Sequence, residues 1–411
     1  MPLHEISQVE RQFARIFPKD SRGLHNYFRL VSEGEHWIKA FERRNIYLDT
    51  RLPELLALFV ILPFQTPHML WMMLRHRNAT NRNLHTRFFK DTRLREIFDQ
   101  LGYPVMPAFN TVGMWVSFIT DYWIPLRGMQ AFANTFVRYI QERGGKVVLS
   151  TGVKRVLIDG NTATGVELED GRQVRAEGVI STVDLRHTCI DLIDKERLPE
   201  ALLKKFEKGV PSETMFTVYL GLSEACEKAG ALDRFLESHV LFFSHSGRLI
   251  QLVLLTKDDP SLAPPGKHAL CISTFSAYEA WQPWVRNHDA SYQVRKEAEA
   301  RSLVHMAEEF IPGLSGYIEE MDAATPLTYE RYTGNWKGAS VGWSWDPAGN
   351  PQIHLQKDLP ALRNFYLAGH WTFRLGGMLS AMITARYAAL EVCKAAKRTR
   401  SPYLHCNQKE E

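Results

Sequence analysis

The stretch Phe365-Tyr366-Leu367-Ala368-Gly369-His370-Trp371-Thr372-Phe373-Arg374-Leu375-Gly376-Gly377-Met378-Leu379 reads as an apolar strand that stops at a glycine, turns through a glycine pair and enters a helix. Glycine at a strand end lets backbone approach a planar or phosphorylated ligand. The helix N-terminus behind it offers unpaired N–H groups and positive dipole to an anion. An ordinary strand–turn–helix crossover has the same outline, so the surrounding chain has to separate the two readings.

After the turn, residues 379–397 read as a helix; before it lies an aromatic, glycine-rich stretch containing Trp336, Trp343 and Trp345. Residues 290–310 form a long helix of mixed charge closed by Pro312-Gly313. Four strand-like runs, 214–222, 239–243, 249–255 and 268–275, follow one another without intervening helices, which predicts an antiparallel sheet rather than βαβ units. Upstream, 146–150 and 153–158 are β-rich, Asp159-Gly160-Asn161 and Asp170-Gly171 are turn signals, and 162–168, 173–176 and 178–182 are further strands. Residues 128–143 place Phe132, Phe136 and Ile140 at helical spacing and stop at Gly144-Gly145. The first ~120 residues read as helical; Leu94, Ile97 and Phe98, for example, share one face.

With 411 residues the chain is long enough for two to three domains, and 45% hydrophobic with 23% charged residues is a globular composition. A net charge of +4 without a basic stripe gives no footprint for nucleic acid. The five cysteines, Cys189, Cys226, Cys271, Cys393 and Cys406, are widely spaced without a C-x-x-C pair, so neither a zinc site nor a disulfide frame is expected. The first residues lack an apolar signal segment, which favours a cytoplasmic setting. Residues 55–74 carry no charge if His68 is neutral, but Pro63 and Pro67 break the run into pieces too short to span a bilayer. That leaves two readings of 51–77: peripheral contact with a membrane face, or a core or tunnel helix.

Taken together, Pro125-Leu126-Arg127-Gly128-Met129, Gly144-Gly145 through Val153, Leu168-Glu169-Asp170-Gly171, Val179 to Asp184, Ala324-Thr325-Pro326 and the C-terminal stretch resemble the phytoene desaturase-like FAD-dependent oxidoreductases. That family includes carotenoid isomerases and retinol saturases and shares a fold with the amine oxidases. The resemblance runs from about residue 17 to Lys394, and it is carried by the order of the motifs rather than by any one of them.

The resemblance implies FAD, whose reduction places negative charge on the N1 and O2 side of the ring, where a helix N-terminus suits it. Carried over by position, Val153 falls where the family's backbone meets the adenine. Gly369 and His370 fall at the pyrophosphate and ribityl, and Gly377, Met378 and Leu379 lie beneath the ring. His370 stands where relatives commonly have Asp or Glu, and Arg127-Gly128 where they often have a glycine pair. Relatives also open with a strand, a G-x-G-x-x-G turn and a helix for the diphosphate, and no such pattern occurs here.

The expected fold is therefore α/β and α+β: an FAD-binding (glutathione reductase-like) domain incomplete at its N-terminus, an inserted antiparallel-sheet substrate domain and a helical N-terminal region. Its segments are expected at 1–120 (helical), 121–194 and 326–398 (FAD-domain portions), 195–325 (substrate domain) and 399–411 (tail). The implied activity is hydride transfer between FAD and an apolar isoprenoid or carotenoid-like molecule. Two alternatives stand beside it. One is a truncated or split-enzyme fragment whose N-terminal FAD-binding part is a separate polypeptide; the other is an amine oxidase-like flavoenzyme.

Trp115, Trp123, Trp281, Trp284, Trp336, Trp343 and Trp345 are expected to line an apolar substrate tunnel. No catalytic side chain is firmly marked. His370 and Arg374 beside the glycine turn, and Asp121 and Tyr122 before Pro125, are the candidates for tuning the cofactor. No metal set and no nucleophile elbow is present.

Overall fold

The fold is taken from a computed structural model that describes residues 5–43, 66–75, 79–101, 105–120, 123–287, 289–346, 349–350, 362–372 and 376–399. Helices α1 (Ile6–Ile16), α2 (Ser21–Arg43), α3 (Pro67–Arg75), α4 (Asn81–Phe88), α5 (Thr92–Leu101), α6 (Ala108–Thr120) and α7 (Gly128–Glu142) come first. Strands β1 (Val153–Asp159), β2 (Thr162–Leu168), β3 (Gln173–Arg175) and β4 (Val179–Ser181) follow, then helix α8 (Glu200–Lys208). Next are β5 (Thr214–Leu222), β6 (Val240–His245), β7 (Arg248–Leu254), β8 (His268–Ser276), α9 (Ala290–Ala307) and β9 (Ile318–Ala324). Helix α10 (Pro326–Thr333), β10 (Phe365–Leu367) and α11 (Gly377–Thr399) complete the order, with one-turn segments in several connections.

Contacts divide the chain into two compact units, one of Thr120–Leu149 with Glu213–Ser340, the other of His4–Ile119 with Ser150–Ser212 and Val341–Glu411. Helix α7 thus groups with the large sheet, although the sequence assigned it to an FAD-domain portion.

In the first unit five antiparallel strands lie in the order β6-β7-β8-β5-β9. Alternation decides the faces. Phe216, Val218, Leu220 and Leu222 of β5, with Ile250, Leu252, Leu270 and Ile272, are buried with Ala300, Leu303, Val304 and Ala307 of α9. Asp289 caps α9 by accepting the Ser291 and Tyr292 amides. Trp281 belongs to this core, 1% exposed, stacked on Phe216 and donating to Ser276 Oγ. It does not line a tunnel. On the opposite face Thr217 Oγ1 meets Ser273 Oγ at 3.0 Å and Tyr329 OH at 2.7 Å. Tyr219, Phe242 and Phe275 on the strands are exposed.

Glu213, just before β5, has a buried carboxylate oxygen without a hydrogen-bond partner among the described residues, and burial pushes its carboxyl up. A folded-state pKa above the unfolded value means that stability is full at acid pH and is lost as pH rises through the folded pKa. Glu213→Gln is therefore expected to raise Tm at pH 8 and to leave it unchanged near pH 4. A variant that gains nothing at pH 8 would show that the carboxylate is solvated after all.

The second unit opens with the packed helices. Leu24, Tyr27, Phe28, Phe89, Leu94 and Phe98 are all within 1% of full burial. Gly23 lets α2 cross the end of α4, since a Cβ there would sit 2.0 Å from the Phe88 carbonyl oxygen. The Asp20 carboxylate accepts the Lys90 and Asp91 amides at 2.7 and 2.8 Å and ties α2 to the start of α5. Buried Tyr27 pairs with His85 Nε2 at 3.2 Å, and His85 Nδ1 with Asp99 at 2.5 Å. Trp115 is 8% exposed and packs edge-on to Phe28, so it too belongs to a core rather than a tunnel.

The same unit carries the three-stranded meander β1-β2-β3 and the parallel pair β10-β4. Val156, Ala163 and Leu192 pack with Val179 and Phe365 between them. Residues 146–150, expected as a strand, form none; Val148 and Leu149 are exposed at 66% and 79%. An extended segment is stabilised by its neighbours' hydrogen bonds, and no described strand lies beside this one. Cys189, Cys226 and Cys271 are buried free thiols, whereas Cys393 is disulfide-bonded, which the wide cysteine spacing gave no reason to expect.

Candidate cofactor site

The glycine turn is built within the second unit. Strand β10 pairs with β4 through Phe365–Val179, Tyr366–Ile180 and Leu367–Ser181, and the Ala368 amide donates to Ser181 O at 3.0 Å. The chain then bends at Gly369, φ +109°, where a Cβ would come 3.2 Å from the Thr182 carbonyl oxygen. The Gly369 amide is already taken: it donates to Thr384 Oγ1 at 2.9 Å. Gly369 therefore offers a ligand its lack of a side chain, not its N–H.

Behind the turn, residues 341–344 form the wall. Their strand-like pairing with residues 210–212 includes Ser212 N–H to Gly342 O at 2.7 Å and Ser344 N–H to Val210 O at 2.8 Å. Trp343 stands perpendicular to Trp371 with ring centres 5.0 Å apart. Gly342 and Gly376 both have positive φ and both face closely packed backbone; a Cβ on Gly376 would lie 2.3 Å from the Val341 carbonyl oxygen.

Helix α11 starts directly after. Its first amides have no intrahelical acceptor, and Gly377, φ +67°, has nothing within 4 Å of where a Cβ would be. Met378 and Leu379 are exposed at 53% and 56%. Ser380, Thr384 and Ala388 occupy the buried face at four-residue spacing. Two buried polar atoms here lack a hydrogen-bond partner among the described residues, His370 Nε2 and Ser380 Oγ. Burial lowers the His370 pKa, opposed by the charge of Asp184, so the imidazole is neutral at pH 7.

These features fit a ligand that is planar and anionic with hydroxyl groups. It would meet open backbone at a helix N-terminus, an apolar edge from Met378 and Leu379, and two buried groups that want polar partners. Val153 opens β1, an edge strand of the meander, and is 37% exposed. Arg374, Asp121 and Tyr122 lie outside the described residues. Sequence reading missed Ser380 and Thr384; small residues recur at 380, 384 and 388, but Ala381, Ala385 and Ala389 repeat the same spacing on the next row, so the pattern alone did not single them out. Among the described residues no His/Cys/Asp/Glu cluster could hold a metal. Two clefts among the described residues lie elsewhere. One of about 870 Å³ lies along β1 and residues 190–197; another of about 430 Å³ lies on the sheet beside Tyr219, Cys271, Leu262 and Met321.

A family profile described as flavin containing amine oxidoreductase matches residues 71–393. The chain is 25% identical over 279 residues to the chloroplastic prolycopene isomerase of Arabidopsis thaliana, covering 65% of this chain and 45% of that one. It is 24% identical over 411 residues to the lycopene-forming phytoene desaturase of a Paracoccus species, covering 94% and 77%. The first of these shares shows that the chain spans about half the length of that curated relative. Among solved structures, a triple mutant of putrescine oxidase superposes with a TM-score of 0.54 at 14% identity, covering 78% of this chain and 69% of that one; this is a likeness of fold.

Proposed function

This chain belongs to the flavin-containing amine oxidoreductase family, and from that premise we propose that it is an FAD-dependent, phytoene desaturase-like enzyme acting on an apolar isoprenoid or carotenoid-like substrate. The observation that carries the reading is the pair of buried, unsatisfied groups, His370 Nε2 and Ser380 Oγ, at a glycine-lined helix N-terminus. When bound, the flavin supplies a two-electron hydride acceptor and donor. The chain's own residues do the rest. The first amides of α11 would favour negative charge on the bound group, His370 and Ser380 would supply hydrogen bonds to it, and Met378 and Leu379 would offer it an apolar surface. Neutral His370 accepts or donates a hydrogen bond without adding charge, unlike the acid expected there in relatives. For the substrate, the sheet face carrying Tyr219, Phe242 and Phe275 offers exposed aromatic surface, and its ~430 Å³ cleft is of small-ligand size.

A second reading has support of its own. The parallel sheet among the described residues is two strands of three residues each, short of what stands alone in water. On this reading FAD is held firmly only when a further strand–turn–helix segment completes the sheet, in the same chain or from a separate polypeptide.

Gel filtration with added FAD, followed by the visible spectrum, tests both. The expected result is substoichiometric flavin with this chain alone and stoichiometric flavin once a G-x-G-x-x-G segment from a relative is supplied. Full retention by the chain alone would overturn the second reading; no retention in either state would overturn the first. Bleaching by an amine rather than a polyene would favour an amine oxidase-like activity.

A further inference from the structure

We propose that the cleft beside Tyr219 takes an isoprenoid bearing one terminal oxygen, carbonyl or hydroxyl, and that Tyr219 is the residue that selects it. The inference rests on the reading of this sheet face as the substrate surface, and it names the substrate class for that surface. Four hydroxyls lie in a row there. Ser273 Oγ meets Thr217 Oγ1 at 3.0 Å, Thr217 Oγ1 meets Tyr329 OH at 2.7 Å, and Tyr329 is hydrogen-bonded in turn to Tyr219. The sheet builds the row. Thr217 and Tyr219 are two residues apart on β5 and so share a face, and Ser273 and Cys271 stand opposite them on β8.

The two ends of the row differ. Ser273 and Thr217 are buried, whereas Tyr219 is 44% exposed and lines the ~430 Å³ cleft. Four hydroxyls carry four protons and make three mutual bonds, so one donor is left over. At the buried end, the Ser273 hydroxyl has no partner among the described residues besides Thr217. The spare O–H is therefore satisfied best at the Tyr219 end, where a ligand oxygen can accept it. Burial pushes the Tyr219 phenol up, so it keeps its proton throughout the physiological range. The walls beside it are uncharged: Leu255, Leu262, Met321 and Cys271, whose thiol is pushed up to about 11 by burial. Charges at the rim are paired, Lys267 with Glu319 and Asp322 with Lys296. A hydrocarbon pressed against Tyr219 would take its O–H out of water and give it nothing to bond, whereas a terminal oxygen meets it. The cleft is at the small end of ligand sites, which run from ~300 to 1,000 Å³, so it seats one end of a long isoprenoid. Phe242 and Phe275, exposed on the same face, remain for the rest of the chain.

Isothermal titration of the purified chain without flavin reads this directly, so a failure here and a failed flavin test are told apart. Farnesal and farnesol are expected to bind at least about tenfold tighter than the hydrocarbon farnesene. Tyr219→Phe removes one oxygen from a half-exposed ring. It should bring all three ligands to the farnesene affinity and leave that affinity unchanged, so the hydrocarbon itself reports that the cleft is intact. Tyr329→Phe leaves Tyr219 its own proton and should keep the preference, which separates contact with the ligand from support of the row. A parent that binds the three alike or not at all, or a Tyr219→Phe variant that keeps the preference, overturns the proposal.

Discussion

Gly376→Ala unfolds the glycine turn, lowering stability by about 3 kcal/mol or more and abolishing flavin retention in any form of the protein that holds flavin. Two effects add. At φ +61° any side chain pays the left-handed penalty, about 1–2 kcal/mol. The new methyl would also meet the Val341 carbonyl oxygen at 2.3 Å. That oxygen moves only with the 341–344 segment, which is hydrogen-bonded to residues 210–212. The neighbour is the control. Gly377 has nearly the same φ, +67°, and open space in front of it, so Gly377→Ala should cost only the backbone penalty. Denaturant melts of the two variants side by side check this, and equal costs would show that the Val341 contact relaxes freely.

The second large effect is at Asp20, which is 3% exposed. Asp20→Ala leaves the Lys90 and Asp91 amides without their acceptor and removes the tie between α2 and α5. Two lost bonds to a carboxylate, at part-buried sites, amount to about 3 kcal/mol, or roughly 10 °C in Tm for a unit of this size. Asp20→Asn keeps one acceptor oxygen and should lose about half as much. Melting of the alanine variant within a degree or so of the parent would mean that water replaces the carboxylate there.

Much of the architecture was written locally. The meander follows from alternation around Asp159-Gly160 and Asp170-Gly171, and α7 ends at Gly144 and Gly145 as its glycine pair implies. The large sheet follows from four apolar runs, and its antiparallel order confirms them. What failed depended on distant partners. Residues 146–150 have strand composition but no strand, because pairing is supplied from elsewhere in a fold. Strand β9, Ile318-Glu319-Glu320-Met321-Asp322-Ala323-Ala324, was not anticipated because its acids disguise it; it lies at the sheet's edge, where charge deters further pairing. Trp281 is as aromatic as any tunnel residue, and only the face of the sheet it packs against placed it in the core. At the candidate site, the order of strand, glycine turn and helix was legible in the sequence, whereas the burial of Ser380 and Thr384 showed only once the inner face of α11 was known.

The hydroxyl line of Thr217, Ser273 and Tyr329 also bears on how the chain reaches this state. Strands β5 and β8 pair residue for residue from Thr214–Ser276 to Leu222–His268, with no bulge to fix their alignment. A slip of one residue would turn Thr217 into the apolar side against α9 and bring Val218 and Leu220 out to solvent. Three hydroxyls would lose their partners at once, and the hydrophobic layer would be inverted. A misaligned β5–β8 pair is thus penalised on both faces together, so the native alignment of two strands far apart in the chain is specified without a bulge.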